Sequence, residues 1–405
     1  MIVQVVRTGT NSSRQTVDVA SVDGTAKQKG DYNYVAQRLT FEPGETQKSV
    51  PVLINEDSYT EGPETFTLAL SNPTAQSTLG ATSNTTINIA DDASESSGNP
   101  IDDAAIFVCQ HYHDFLNRQA DANGQAFWTN QIAGCGTDAG CIDNKRTNVS
   151  QAFFLSIEFQ QTGYFVIRIH KASFGSEKSN PRYVVFLRDQ REISEGVVIG
   201  QPGASERLEA NRQKYLNEFV SRPEFTSKYP QGMAASAYVD TLFANAGVTP
   251  TPAERQEAIN AYGNGNQAGR VAALRAVVET GSVYNKQYNP AFVLMQYFGY
   301  LRRNPDDAPD NNFSGYDFWL NKMNQFSQPG EDVRNEEVAR RRVARAEMVR
   351  SFIVSGEYRQ RFAGSPTGNQ QGQSPEASSL TLGYLMEKMV SPFIRQEGGQ
   401  FKATD

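Results

Sequence analysis

Histidine and cysteine are scarce in this chain of 405 residues, at three each. A nucleophile needs a base beside it, and none of His111, His113 and His170 lies in a recognisable nucleophile elbow. Walker loops and dinucleotide fingerprints are also missing, which leaves nucleotide-driven chemistry without a motif. Three cysteines are too few for a disulfide framework. Basic residues are outnumbered, 38 Lys and Arg against 45 Asp and Glu, for a formal charge of -7. That balance excludes an extended phosphate-binding surface, so nucleic acid is not an expected partner. No run of about 18 apolar residues occurs, and no membrane-spanning helix is predicted. Signal-peptide features are lacking too. Met1 is followed at once by the alternation Ile2-Val3-Gln4-Val5, with neither a basic start nor a cleavage site.

What is present suffices for packed cores. Hydrophobic residues make up 38% and charged residues 20% of a chain longer than a typical single core, so two or more domains are expected. Short alternating runs at Val3–Val6, Val17–Val19, Lys48–Ile54, Phe66–Leu70 and Thr86–Ile89 predict strands. Asp23-Gly24, Pro43-Gly44, Glu61-Gly62-Pro63 and Asn72-Pro73 supply the turns between them. The pattern predicts an antiparallel, immunoglobulin-like β-sandwich. Its acids lie at strand ends: Asp31 after Gly30, Glu56 and Asp57 after Ile54, Glu61 and Glu64 around the next turn, Asp91 and Asp92 after the last strand. If the clusters meet at one pole without a basic partner, a cation must neutralise them. Ca²⁺ is the hard ion that accepts such oxygens in loose geometry.

The ordered string Asp23-Gly24-Thr25-Ala26, Gly30-Asp31-Tyr32, Leu39 to Thr46, Asn55-Glu56-Asp57, Glu61 to Phe66, Leu70 to Pro73 and Ile89 to Asp92 resembles the Calx-beta domain. That family includes calcium sensors of sodium/calcium exchangers and many bacterial surface proteins. The resemblance implies Ca²⁺ as cofactor and Asp31, Glu56, Asp57, Glu61, Asp91 and Asp92 as ligands. It also implies one more strand before Val3, so the start of the chain is expected to be truncated. Three departures weaken the implied site: the family's acid on the N-terminal strand has no counterpart, Asn55 stands where aspartate is common, and Ala93 replaces the last member of the aspartate run.

Beyond residue 93 the period changes. Ala93 to Pro100 is small and polar and marks a domain boundary, with 94–103 read as a linker. Helical spacing then runs through Ile106–Leu116, Val149–Phe159, Leu208–Phe219, Tyr238–Asn245, Arg270–Glu279, Ala291–Leu301 and Glu336–Ser355, while Tyr183–Leu187 reads equally as helix or strand. A repeat emerges. Phe107 to Arg118 with Asp121, Gly124 and Phe127-Trp128 parallels Phe292 to Arg303 with Asp306, Gly315 and Phe318-Trp319. Each copy later reaches a Ser-x-Glu-aromatic ending, at Ser156 to Phe159 and Ser355 to Tyr358. These strings resemble DUF 4214, a helical domain of bacterial extracellular proteins. The expected organisation is a sandwich at 1–93, DUF 4214-like units at 104–170 and 288–365, a divergent helical region at 171–287, and a tail at 366–405 with a short helix.

Other residues have simpler readings. Cys135 and Cys141 flank a Gly-rich stretch able to close a small disulfide loop, preferred to zinc because no finger spacing relates them to the histidines. Cys109 is expected to pack as a small hydrophobe. Asp121-Ala-Asn-Gly124 opens like an EF-hand, but Phe127-Trp128 occupy the continuation, so a helix cap is expected. Arg118 and Arg303 are expected to pair with Asp121 and Asp306 or with helix carboxyl ends. The basic run Arg340 to Arg345 reads as a solvated helix face. The whole predicts a non-catalytic secreted or cell-surface protein for adhesion or scaffolding, meeting a protein or carbohydrate partner. The alternative is a fragment of an extracellular carbohydrate-active enzyme.

Overall fold

The computed structural model describes residues 1–58, 62–74, 77–90, 98–345 and 347–363. Six strands open the described chain: β1 (Ile2–Val6), β2 (Gln15–Asp23), β3 (Ala36–Phe41), β4 (Gln47–Pro51), β5 (Glu64–Ser71) and β6 (Asn84–Ile89). They form two antiparallel sheets, ordered β3-β2-β5-β6 and β1-β4. Alternation sends Val17, Val19, Phe66, Leu68 and Ile87 into a core shared with Leu39, Phe41, Val50 and Val52. Each such side chain contributes roughly 1.5–3 kcal/mol by leaving water. β3 escapes the alternation rule because nearly all its residues are buried. The helix Tyr183–Ser194 packs on it, so both its faces meet protein.

The sandwich is followed by a 3-10 turn at Pro100–Asp102, where Ile101 is fully buried and Asn99 donates to the carbonyl of Arg359. Then come α1 (Ala104–Leu116), α2 (Ala122–Ala133), α3 (Ala139–Leu155) and α4 (Ile157–Gln161). The middle comprises α5 (Gly163–Phe174), α6 (Tyr183–Ser194), α7 (Ala204–Phe219), α8 (Pro223–Lys228), α9 (Ala235–Asn245), α10 (Pro252–Tyr262) and α11 (Gln267–Glu279). Last are α12 (Gly281–Met295), continued by a π-turn at Gln296–Leu301, and α13 (Ser314–Phe326), α14 (Glu336–Arg345), α15 (Met348–Ile353) and α16 (Gly356–Arg359). The ambiguous stretch Tyr183–Leu187 is thus helical. The tail at 366–405, with its expected short helix, lies outside the described residues.

The two repeat strings adopt the same local geometry. α1 stops at Asn117 and the π-turn stops at Arg302, both left-handed, at φ 51° and 53°. The next arginine then reaches the Glu of the Ser-x-Glu ending in a two-point pair. Arg118 holds Glu158 at 2.6 and 2.8 Å, and Arg303 holds Glu357 at 2.6 and 2.9 Å. In both copies the serine ends one helix and caps the next: Ser156 and Ser355 donate to Phe153 and Phe352 and accept from Phe159 and Tyr358. The pairing expected from sequence is present for Arg118, though secondary, and is corrected for Arg303. Asp121 is a weak second partner of Arg118 at 3.5 Å, and Asp306 is held by Arg182 at 2.6 Å. Side-chain reach across the fold beat proximity in sequence.

The copies meet through α1 and the π-turn, where a Cβ at Gly299 would come within 2.7 Å of Phe115. Cys135 and Cys141 form a disulfide. Asp121 caps α2 by accepting from Gly124 N, and Cys109 is half-buried. In the basic run, Arg341 pairs with Glu337, but Arg342 is buried against Glu331 at 3.0 Å, so that face is only partly solvated.

Beneath β3, α6 and α7 bury an ion network. Glu192 on α6 is 6% exposed, and neither of its carboxylate oxygens has a hydrogen-bond partner among the described residues. Burial, then Glu218, pushes its pKa up to about 7, against Arg222. An acid whose folded pKa is raised binds its proton better when folded, so it costs stability as pH rises from 4.5 through about 7. Glu192→Gln is therefore expected to stabilise the protein at pH 8 by up to about 3 kcal/mol, at about 1.4 kcal/mol per pKa unit. The gain should vanish below pH 4.5; denaturant midpoints measured at both pH values check it.

Candidate functional site at the sandwich pole

One end of the sandwich gathers the strand ends beside the predicted acids. β2 ends at Asp23 opposite Phe66, at the start of β5, and Glu64 at the head of β5 lies opposite Ile89 at the end of β6. The loop after β2 is stitched to the same place: Ala26 N donates to Thr65 O at 3.0 Å, and Thr65 N donates to Thr25 Oγ1 at 2.8 Å. Gly24 permits this approach, since a Cβ there would lie 2.3 Å from Thr65 O. The chain then turns through Lys29, at φ 95°, into Gly30-Asp31-Tyr32. Tyr32 is buried, stacks on Phe66 at 3.9 Å and donates its hydroxyl to Asp23.

Asn55 joins the second acidic cluster to this loop. Its backbone N–H donates to Asp31 O at 3.0 Å, its side-chain amide donates to Gly30 O at 2.9 Å, and Ile54 bridges Tyr32. Asp31 and Asp57 are half-buried and Glu56 is exposed. One Asp31 oxygen accepts from Lys27 N. Glu61, Asp91 and Asp92 lie outside the described residues, although the strand ends nearest them, Glu64 and Ile89, are paired at this pole. Among the described residues no three His, Cys, Asp or Glu side chains are grouped to hold a metal ion. The donor types nevertheless fit a hard cation, and two of the acidic segments are joined through their backbones.

Electrostatically the pole is not a bare nest of acids. A cavity of about 470 Å³ beside Asp31 is lined by Glu64 and Glu357 but also by Lys27, Lys29 and Arg361. Burial holds the Lys29 amine below its ordinary pKa, with Glu357 opposing. The expected absence of basic partners is thus corrected: the sandwich's own loop supplies Lys27 and Lys29, and the chain after α16 adds Arg361.

Those helices grip the pole through residues that sequence reading missed. Arg361 Nε donates to Lys29 O at 2.9 Å, and Ser58 donates its N–H to Phe362 O at 3.0 Å. Asn33 donates to His113 O at 2.9 Å, and His113 Nδ1 lies 3.4 Å from Asn55 Oδ1. At the centre Asp114 receives Arg302 at 3.0 Å and Arg361 at 2.8 Å, all three buried, while Arg302 also donates to Asn33. Burial opposes ionisation of Asp114, yet Arg361 and Arg302 hold its pKa below the usual carboxylate value. Comparing the repeats offered one signal: Asp114 matches Gly299 of the second copy, and an acid inside an apolar helical run requires a buried cation.

Two contacts resemble catalytic pairs. His111 donates from Nδ1 to Phe107 O at 2.7 Å and its Nε2 lies 2.6 Å from Ser150 Oγ, but both side chains are about 1% exposed and sealed in the core. Cys109 Sγ lies 3.8 Å from His113 Nε2, and burial raises the thiol pKa, which opposes a reactive thiolate.

Residues 1–93 match the family model of the Calx-beta domain. The sandwich is a Calx-beta domain. Residues 86–162 match the model of a domain of unknown function, DUF4214. Sodium/calcium exchanger 1 of Mus musculus is 41% identical over 66 residues, which are 16% of this chain and 7% of the exchanger. The chain thus spans a small part of that relative's length. Two solved structures are 30% identical: the calcium binding domain CBD12 of CALX1.1, covering 24% of this chain and 40% of that one at a TM-score of 0.23, and the apo-form Calx CBD1 domain, covering 23% and 81% at 0.22. No helix among the described residues is long and apolar enough to cross a membrane.

Proposed function

We propose that this is a non-catalytic secreted or cell-surface protein whose Calx-beta domain takes up Ca²⁺ and whose helical repeats serve adhesion or scaffolding against a protein or carbohydrate surface. One observation carries the calcium reading: the loops and strand ends adjoining all the predicted acids meet at one pole of a Calx-beta sandwich. Asp31, Glu56, Asp57, Glu61, Asp91 and Asp92 are the proposed ligands. The Cys135–Cys141 disulfide supports an oxidising compartment. The matched geometry of the Arg118–Glu158 and Arg303–Glu357 pairs supports reading 288–365 as a second DUF4214-like unit.

Asn55 and Ala93 remove two charges from the ligand set, which favours the weak end of the range, where extracellular modules bind at roughly 10⁻⁴–10⁻³ M. Calorimetric titration of the full chain with CaCl₂ is expected to give binding in that range, weakened at least tenfold by Asp31→Ala. Equal heats from wild type and variant would remove Asp31 from the site.

A further inference from the structure

The loops that carry the proposed ligands Asp31, Glu56 and Asp57 are bracketed by contacts from the helical body. Lys29, two residues before Asp31, gives its carbonyl to Arg361. Asn55, one residue before Glu56, lies against His113, and Ser58, one residue after Asp57, donates to Phe362 O through both its N–H and its hydroxyl. Both described ligand segments are therefore positioned by α1 and by the end of the second repeat. Lys29 also adopts a positive φ of 95°, a conformation that non-glycine residues rarely take and that its surroundings must hold. Arg361 adds to the loop's own hydrogen bonds there, and Asp114 in turn fixes the Arg361 guanidinium at 2.8 Å.

Asn55 shows the same division of labour. Its amide nitrogen donates to Gly30 O while its carbonyl oxygen faces His113 Nδ1. A carboxylate has no hydrogen to give Gly30, so only the amide performs both tasks. The position at which the family commonly has aspartate serves here as a joint between loop and helix.

We propose that calcium at the pole and docking of the helical body stabilise each other, so that the DUF4214-bearing half reads the calcium state of the sandwich. The proposal rests on the calcium reading above. Its sign follows from preorganisation: helices that hold Asp31 and Asn55 to Ser58 in one arrangement lower the ordering cost of the ligands. Linkage requires the reverse effect, with bound calcium strengthening the helix contacts by the same factor.

Hydrogen exchange of the full chain, in CaCl₂ and in chelator, tests this directly. Calcium is expected to slow exchange in the pole loops and also in residues 355–363, which carry no proposed ligand. His113→Ala, which leaves every proposed ligand in place, is expected to weaken calcium binding about tenfold, inside the usual range of coupling. Slowed exchange confined to the sandwich, together with unchanged affinity in His113→Ala, would overturn the coupling and leave calcium binding standing. Should the variant not fold, the wild-type exchange pattern decides alone. A wild type that takes up no calcium, with identical exchange in both buffers, overturns both proposals.

Discussion

Asp114→Ala is expected to destabilise the full chain by about 3–5 kcal/mol, the cost of stranding buried charge. The Arg302 side chain is 2% exposed and that of Arg361 4%, and Asp114 is the carboxylate that both share. Removing it leaves two guanidinium groups out of water with neutral partners, among them Asn33, the Lys29, Gly299 and Tyr300 carbonyls and the Tyr358 and Phe362 rings. Chemical denaturation at pH 7 measures the loss. The pH dependence has a defined sign. A carboxylate whose folded pKa is depressed gives stability that is present above its ordinary value of 3.8 and is lost as pH falls through the folded value. The gap between wild type and variant should narrow only below about pH 3.8. A loss under 1 kcal/mol at pH 7 would mean that Arg302 and Arg361 find other partners.

Asp189→Ala is expected to cost a similar amount, about 3–5 kcal/mol, in a separate part of the helical body. Asp189 is fully buried on α6 and accepts from Arg222 at 2.8 and 3.0 Å, His170 at 2.7 Å, Tyr215 at 3.0 Å and Arg188 at 3.0 Å. Burial opposes its ionisation, but Arg222 and the His170 hydrogen bond hold its pKa well below the usual value. Burial also lowers the pKa of His170, so the histidine donates as a neutral ring and Arg222 and Arg188 supply the balancing charge. Truncation leaves Arg222 with Glu218, which Arg38 of β3 also engages at 2.6 Å, so the contact between sheet and helices should loosen as well. Asp189→Asn keeps the shape without the charge and should fall between wild type and alanine. An asparagine variant as stable as wild type would show that the charge contributes nothing.

The sandwich was legible because half-buried strands alternate and its turns carry Gly, Pro and Asx signals. β3 was not, since α6 covers its outer face and alternation disappears. The repeat was legible as a string, yet its chemistry was not. The partner of Arg118 lies 40 residues away at Glu158, and nothing local distinguishes it from the nearer Asp121. At the pole, the acids announced themselves by their clustering at strand ends. Their neighbours did not: Asn33 of the sandwich, His113 and Asp114 of α1, Arg302 and Arg361 converge from four distant stretches, and their roles arise only when the second repeat folds back on the sandwich. The same folding back adds Arg361 to a pole where Lys27 and Lys29 of the sandwich loop already stand beside the acids.

The central claim is that this Calx-beta pole binds calcium in the folded chain. Anything that binds the folded state alone stabilises it, by about 2.7 kcal/mol at a hundredfold excess over its dissociation constant. Thermal unfolding of the wild-type full chain, in a CaCl₂ series and in chelator at constant ionic strength, measures this without assuming a stoichiometry. A midpoint that climbs steadily with calcium, and much less in Asp31→Ala, is the predicted result. Superimposable transitions in calcium and chelator would contradict it.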